Sequence, residues 1–296
     1  MVDVRPVRPR AIVEILSQPS TSRHDTLAHG LGLLVEHVEA LQATVASLSA
    51  GGELRGRAIL ESVMGEEAAK VLILLDAVRG GWTDQNAAKR SLSHFSNHFA
   101  RGVYQRVTSI NPGTFGEVRK YVEGLRPEFY LDGPNDSDWI FRNEIESARE
   151  LAFYVDYVKD EEDYSWVSPS NNSYRSTHWP AEITTRLVLA MHRTGLLAKE
   201  GLDVTAEQWR GVTVSDDASF ADHFKRTSAV TRELIERELF LPMAVQADFQ
   251  HVAEHWPFSL NSISIDKIKV TGEELEAKRT RLEEAFWRSE LGPIEY

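Results

Sequence analysis

With 296 residues, 42% of them hydrophobic and 26% charged, the chain is long enough for one large domain or two modest ones around a substantial core. Its net charge of −12 argues against a general nucleic-acid or membrane-surface binder, which needs concentrated Lys and Arg, but leaves room for a local basic pocket. The absence of cysteine removes disulfides, thiolate metal sites and cysteine nucleophiles, and fits a reducing cytoplasm.

Pro6 and Pro9 predict an irregular N-terminal arm over residues 1–20, with a short helix around Ile12 to Leu16. The opening "MVDVRPVRPR" is basic and Pro-broken with no apolar run after it, so no leader is expected. No apolar stretch approaches the roughly 20 residues of a membrane span, so no membrane partner is expected either. Ser20, Thr21 and Ser22 offer N-caps to a long helix reaching about Ser49, in which Leu27, Leu31, Leu34, Val38, Leu41 and Val45 recur at helical spacing. Gly51-Gly52 end it, and a second helix from Arg55 to Arg79 stops at Gly80-Gly81.

A third helix is expected from Asp84 to Thr108, a shorter one from Phe115 to Leu125, and another from Trp139 to Val158, after the loop "RPEFYLDGPNDSD". "KDEEDYSWVSPSNNSYRSTHWP" reads as a long polar loop, of the kind that is functional or mobile. Helices follow at Ala181 to Leu197 and Ala218 to Leu239. Alternation over Leu260 to Val270 suggests a strand whose partner is not evident, and Thr271 with Glu274 forms a capping box opening a last helix to about Glu290. The fold class is therefore all-α: an antiparallel helical bundle over residues 21–200 and a mainly helical C-terminal extension, 201–296, that could hold a short strand.

The second helix carries the chemistry. Projected at 3.6 residues per turn, Leu60, Val63, Met64, Glu67, Val71, Leu74, Leu75 and Val78 share one apolar stripe. Glu67 thus falls inside that stripe and needs a partner or a job, because an unpaired core carboxylate costs several kcal/mol. Glu66 lies on the flank, with Lys70 four residues later in the favourable order for an ion pair. Gly65, Ala68 and Ala69 permit close approach by another helix. On the third helix His94, His98 and Arg101 share a face at i, i+4 and i+7, and an antiparallel packing would bring them to the level of Glu66, Glu67 and Lys70. Such a layer could simply fix helix register. It could also hold zinc or iron, but the paired Glu-x-x-His signature of di-iron bundles is missing, so no metal is assigned. Or it could perform acid–base chemistry on a phosphodiester, a His moving the proton and Arg or Lys stabilising the anion.

At these residues the chain resembles the AbiV-type abortive-infection proteins of the HEPN superfamily. The resemblance rests on "RGRAILESVMGEEAAKVLILLDAV", "HFSNHFARGVYQR", and "LAFYVDYV" followed by the Pro-containing loop "SWVSP", and spans roughly Arg23 to Leu197. It implies an HEPN-like helical bundle, a homodimer, and a cytoplasmic phage-defence toxin that arrests growth or translation in infected cells once triggered by a phage or host protein. Many members of the superfamily are ribonucleases, with a motif of Arg followed after a short gap by His. The implied activity is metal-independent cleavage of RNA, with no cofactor. His94 or His98 would transfer the proton, Lys70 and Arg101 would hold the phosphate, and Glu66 and Glu67 would orient them. The Arg–His motif is matched by Arg23 and His29 in "RHDTLAH", and by Arg186 and His192 in the more apolar "RLVLAMH"; Arg90, close to His94, is a further candidate. The competing expectation is a non-catalytic interaction or sensor protein that captures a phage or host protein through the long loop and the C-terminal extension.

Overall fold

The computed structural model of the chain describes residues 11–82, 85–129, 143, 145–146, 149, 153–160, 163–168, 175–271, 273–274, 277, 280–281 and 284. Most of these residues are helical. A 3-10 helix, Ala11–Ser17, leads into α1 (Ser20–Ala50) and α2 (Leu54–Arg79). Then come α3 (Gln85–His94), α4 (His98–Thr108), α5 (Phe115–Leu125) and β1 (Pro127–Phe129). The remainder is a hairpin of β2 (Asp156–Asp160) and β3 (Asp163–Val167), helices α6 (Arg175–Arg193), α7 (Lys199–Gln208), α8 (Phe220–Glu236) and α9 (Gln246–His255), and β4 (Ile268–Val270).

Of the apolar positions expected on α1, Leu27, Leu31, Val38 and Val45 are buried along one stripe together with Val35, while Leu34 and Leu41 are partly buried against it. That stripe packs on α2, which also touches α3, α4, α6 and α7. Helix α2 is consequently the axis of the molecule, and every residue from Val71 to Arg79 is buried. Its close approach to α6 depends on Gly65, where a Cβ would lie 2.7 Å from the Ala181 Cβ. One apolar core continues from Ile15 on the 3-10 helix to Ile265 near the C-terminus, taking in residues on both sides of position 200. No helix among the described residues is long and apolar enough to cross a membrane.

Several elements differ from expectation. The single helix expected over Asp84 to Thr108 is two, because α3 ends at His94 and Asn97 starts α4 by accepting the Ala100 N–H with its side chain, at 3.2 Å. The helix expected to reach Val158 gives way to β2, and the polar loop after it contains β3, antiparallel to β2 with Tyr157 opposite Trp166. Helix α6 starts earlier than Ala181, and α7 and α9 fall where no helix was expected. The expected caps Ser20, Thr21 and Ser22 lie inside α1, whose N-cap is Pro19. The late strand is confined to Ile268–Val270 and finds its partner in β1, as a parallel pair. Thr271 and Glu274 do form the capping box: the Thr271 N–H donates to Glu274 Oε2 at 2.9 Å and the Glu274 N–H to Thr271 Oγ1 at 3.3 Å. Positions 273, 274, 277, 280, 281 and 284 of that expected helix are helical; its other residues, and residues 139–142, 144, 147–148 and 150–152 of the earlier one, lie outside the described residues.

Candidate functional site

The carboxylate that α2 turns toward α4 is Glu66, not Glu67. The Glu66 side chain is 11% exposed and gathers three cationic or titratable partners. Its Oε2 accepts from His98 Nδ1 at 2.7 Å and from Arg101 Nη1 at 3.0 Å, while Oε1 accepts from Arg149 Nε at 2.9 Å. Arg101 also donates through Nε to the Phe95 carbonyl at 2.9 Å, which ties the α3–α4 turn to the cluster. The Arg149 guanidinium lies 4.8 Å from the centre of the Phe153 ring.

His98 occupies the first turn of α4, and its side chain is 48% exposed. A carboxylate only accepts, so the Nδ1 facing Glu66 carries the proton; in the neutral ring Nε2 then keeps its lone pair. Nε2 makes no hydrogen bond among the described residues. Among the described residues one carboxylate faces two arginines, which gives this group surplus positive charge in a chain of net charge −12. Such a centre favours an anion in the position where His98 and Arg149 meet solvent.

Arg149 was not among the residues singled out from the sequence. It reaches Glu66 across 83 positions, and the segment that carries it is pinned at several points. Asn143, 1% exposed, donates through Nδ2 to the carbonyls of Leu125 and Pro127 and accepts the Ile145 N–H at 2.9 Å. Lys267 bridges Glu128 at 2.7 Å and Glu146 at 3.0 Å. Gly102 completes the fit, because a Cβ there would collide with the Ile145 side chain.

The other expected site residues are placed elsewhere. Glu67 pairs with Lys70 at 2.5 Å, so the flanking pair forms three residues apart rather than between Glu66 and Lys70. Lys70 lies over the Phe95 ring at 5.2 Å. Glu67 borders a largely apolar groove of about 320 Å³ walled by Ile12, Leu27, Leu34, Leu74 and Phe95. His94 is separated from His98 by the break between α3 and α4; it faces the charges of Asp76, Asp266 and Arg90, and burial lowers its pKa. Its Nδ1 is buried and makes no hydrogen bond among the described residues. Arg23 donates to the carbonyls of Leu16 at 2.8 Å and Gln18 at 3.0 Å, anchoring the 3-10 helix, whereas His29 is exposed on α1. The two do not converge. Arg90 and Arg186 are exposed on α3 and α6.

A second polar centre lies farther along α2. Asp76 is fully buried; its Oδ1 accepts from Arg79 Nε at 3.0 Å and from Arg79 Nη2, and its Oδ2 accepts from Tyr104 Oη and the Leu260 N–H, both at 2.7 Å. Arg79 Nη1 donates to the Pro257 carbonyl at 2.8 Å, and its guanidinium lies 4.8 Å from the Trp256 ring. Burial and the adjacent Asp76 charge push the Tyr104 phenol well above its ordinary value. Nearby His223 donates through Nε2 to the Trp256 carbonyl at 2.6 Å, and burial lowers its pKa to about 4. Every group here is enclosed, so the centre clamps the C-terminal segment to α2 and presents nothing to a substrate.

Among the described residues, no group of three or more His, Asp or Glu side chains is arranged to hold a metal ion. Compared with family models, curated proteins and solved structures, the chain finds no match.

Proposed function

We propose that the chain is an abortive-infection protein of the AbiV type, a cytoplasmic homodimer that arrests growth of infected cells by metal-independent RNA cleavage. The observation that supports a catalytic reading is the His98 Nδ1 to Glu66 Oε2 contact of 2.7 Å on a half-exposed imidazole flanked by Arg101 and Arg149. His98 Nε2 takes the proton of a ribose 2′-hydroxyl, and the 2′-oxygen attacks the adjoining phosphorus. Glu66 stabilises the imidazolium that results, and Arg149 offsets charge on the phosphoryl oxygens. The 5′-oxygen leaves with a proton from water, giving a 2′,3′-cyclic phosphate and a 5′-hydroxyl; His98 then returns its proton to solvent. Arg101, held by Glu66 and the Phe95 carbonyl, positions the turn that presents His98.

The test is a phage challenge of cells carrying the wild type or His98→Ala, following growth and RNA integrity together. The reading expects RNA breakdown and growth arrest in the wild type and neither in the variant. Growth arrest with intact RNA would contradict it. A second reading, a non-catalytic sensor of a phage or host protein, is favoured by one feature: both oxygens of Glu66 are used by cations, as in a layer that only fixes helix register. Full protection by His98→Ala would support that reading.

A further inference from the structure

A groove of about 320 Å³ opens between the 3-10 helix, α1, α2 and the residue that follows α3. Its volume and mainly apolar walls are those of a small-molecule site. Ile12, Leu34 and Phe95 are only partly buried on these walls, and Leu33 is 53% exposed. Gly30 keeps the groove open. It lies inside α1, away from both ends and without a positive φ, and a Cβ added there would meet nothing within 4 Å. Neither backbone conformation nor helix packing therefore requires glycine, which weakens a helix interior relative to other residues. What its missing side chain supplies is space.

The polar groups on the walls decide what fits. Thr26 donates its hydroxyl proton within its own segment, to Gln18 Oε1 at 2.8 Å, and His37 is exposed on α1. Glu67 lines the groove, whereas Lys70 does not. The Lys70 ammonium is already held, by Glu67 Oε1 at 2.5 Å and over the Phe95 ring at 5.2 Å. Glu67 Oε2 accepts no hydrogen bond among the described residues, so the wall offers a partly buried carboxylate with lone pairs to fill. One carboxylate can serve two cations, as Glu66 does with Arg101 and Arg149. The matching occupant is a cation whose remainder is apolar, and a net charge of −12 attracts it from a distance. An anionic head would be repelled by Glu67.

We propose that this groove binds an organic amine with an apolar body, its ammonium donating to Glu67 Oε2 and its hydrocarbon part lying along Gly30, Leu34 and Phe95. The site is independent of the chemistry assigned to His98, and its test is a binding measurement. Phe95 nevertheless walls the groove with its ring while its carbonyl accepts from Arg101 of the Glu66 cluster, so the two sites share that residue.

The probes are octylamine, octanol and octanoate, which share a body and differ in the charge of the head, titrated into the full chain by calorimetry. The wild type binds the amine, the alcohol about tenfold more weakly, and the carboxylate not measurably. Glu67→Gln lowers the affinity for the amine to that for the alcohol. Gly30→Leu fills the groove and abolishes binding, with its thermal midpoint unchanged or raised because leucine is the better helix former. A control, Glu39→Gln on the opposite face of α1, keeps wild-type affinity. The proposal is overturned if the wild type binds none of the probes or binds octanoate best, or if amine and alcohol bind alike. It is also overturned if Glu67→Gln or a folded Gly30→Leu keeps wild-type affinity for the amine. Glu67→Gln, which leaves the packing in place, carries the test even if Gly30→Leu does not fold. Sedimentation of the same samples separates one further occupant: a wild-type dimer that Gly30→Leu turns into a monomer would mean that a second copy fills the groove, and would overturn the proposal.

Discussion

Glu66 and Asp76 are two buried carboxylates on one helix, ten residues apart, and their surroundings are opposite in kind. Asp76 is sealed, with an arginine that is itself 1% exposed, a tyrosine and a backbone amide filling both oxygens. Glu66 is buried too, as is its partner Arg101, but its other two partners, His98 and Arg149, are 48% and 32% exposed. The comparison teaches that burial of a carboxylate does not identify a site. What separates the two is whether the groups it holds can still reach solvent, because only those can meet a substrate.

Breaking the closed centre should cost most. Asp76→Asn leaves the Arg79 charge uncompensated in the core, and a loss of about 3–5 kcal/mol is expected in chemical denaturation. A change below about 1 kcal/mol would mean that the centre does not hold the C-terminal segment.

Acid should act on the same region. His223, with its pKa lowered to about 4, stays neutral in the folded chain while an unfolded histidine protonates near 6.5. The unfolded state therefore binds more protons between these values, so stability is full above pH 6.5 and is lost progressively toward pH 4. The whole loss is about 3 kcal/mol. His223→Gln should flatten that part of the stability–pH curve, and an unchanged slope would contradict the assignment.

Disturbing the arm that completes the open centre should be milder. Gly102→Val pushes against Ile145 and withdraws Arg149 from Glu66, at an expected cost of about 1–3 kcal/mol. Growth arrest should fall along with that stability. Least costly is Glu66→Gln, expected to destabilise by about 1 kcal/mol, since His98 and Arg149 can turn to water and the buried Arg101 keeps its bond to the Phe95 carbonyl and can still donate to the Gln oxygen. If Glu66→Gln were as damaging as Asp76→Asn, the distinction between the two centres would collapse.

How far these centres were legible in the sequence follows from their surroundings. The apolar spacing of α1 and the glycines flanking α2 were enough to place both helices. Choosing between Glu66 and Glu67 failed because the projection assumes one buried face, whereas α2 has neighbours on several sides and both carboxylates point inward. The end of α3 was signalled by Asn97, a good N-cap, but Phe95, Phe99 and Val103 kept helical spacing across the break and masked it. Tyr157, Val158, Trp166 and Val167 have strand propensity, yet the run of acidic residues between them in the sequence made the segment read as loop. Arg149 had no local signal at all. Its role arises from a long-range contact that Asn143, Gly102 and Lys267 make possible.

The most direct test uses purified protein and a labelled RNA, comparing wild type with His98→Ala and recording thermal midpoints on the same samples. The wild type should yield fragments ending in 2′,3′-cyclic phosphate, and His98→Ala should cleave about a hundredfold more slowly or worse, with its midpoint unchanged. Cleavage by His98→Ala at the wild-type rate, or intact RNA with the wild type, would contradict the assignment of the Glu66–His98 centre as the working site.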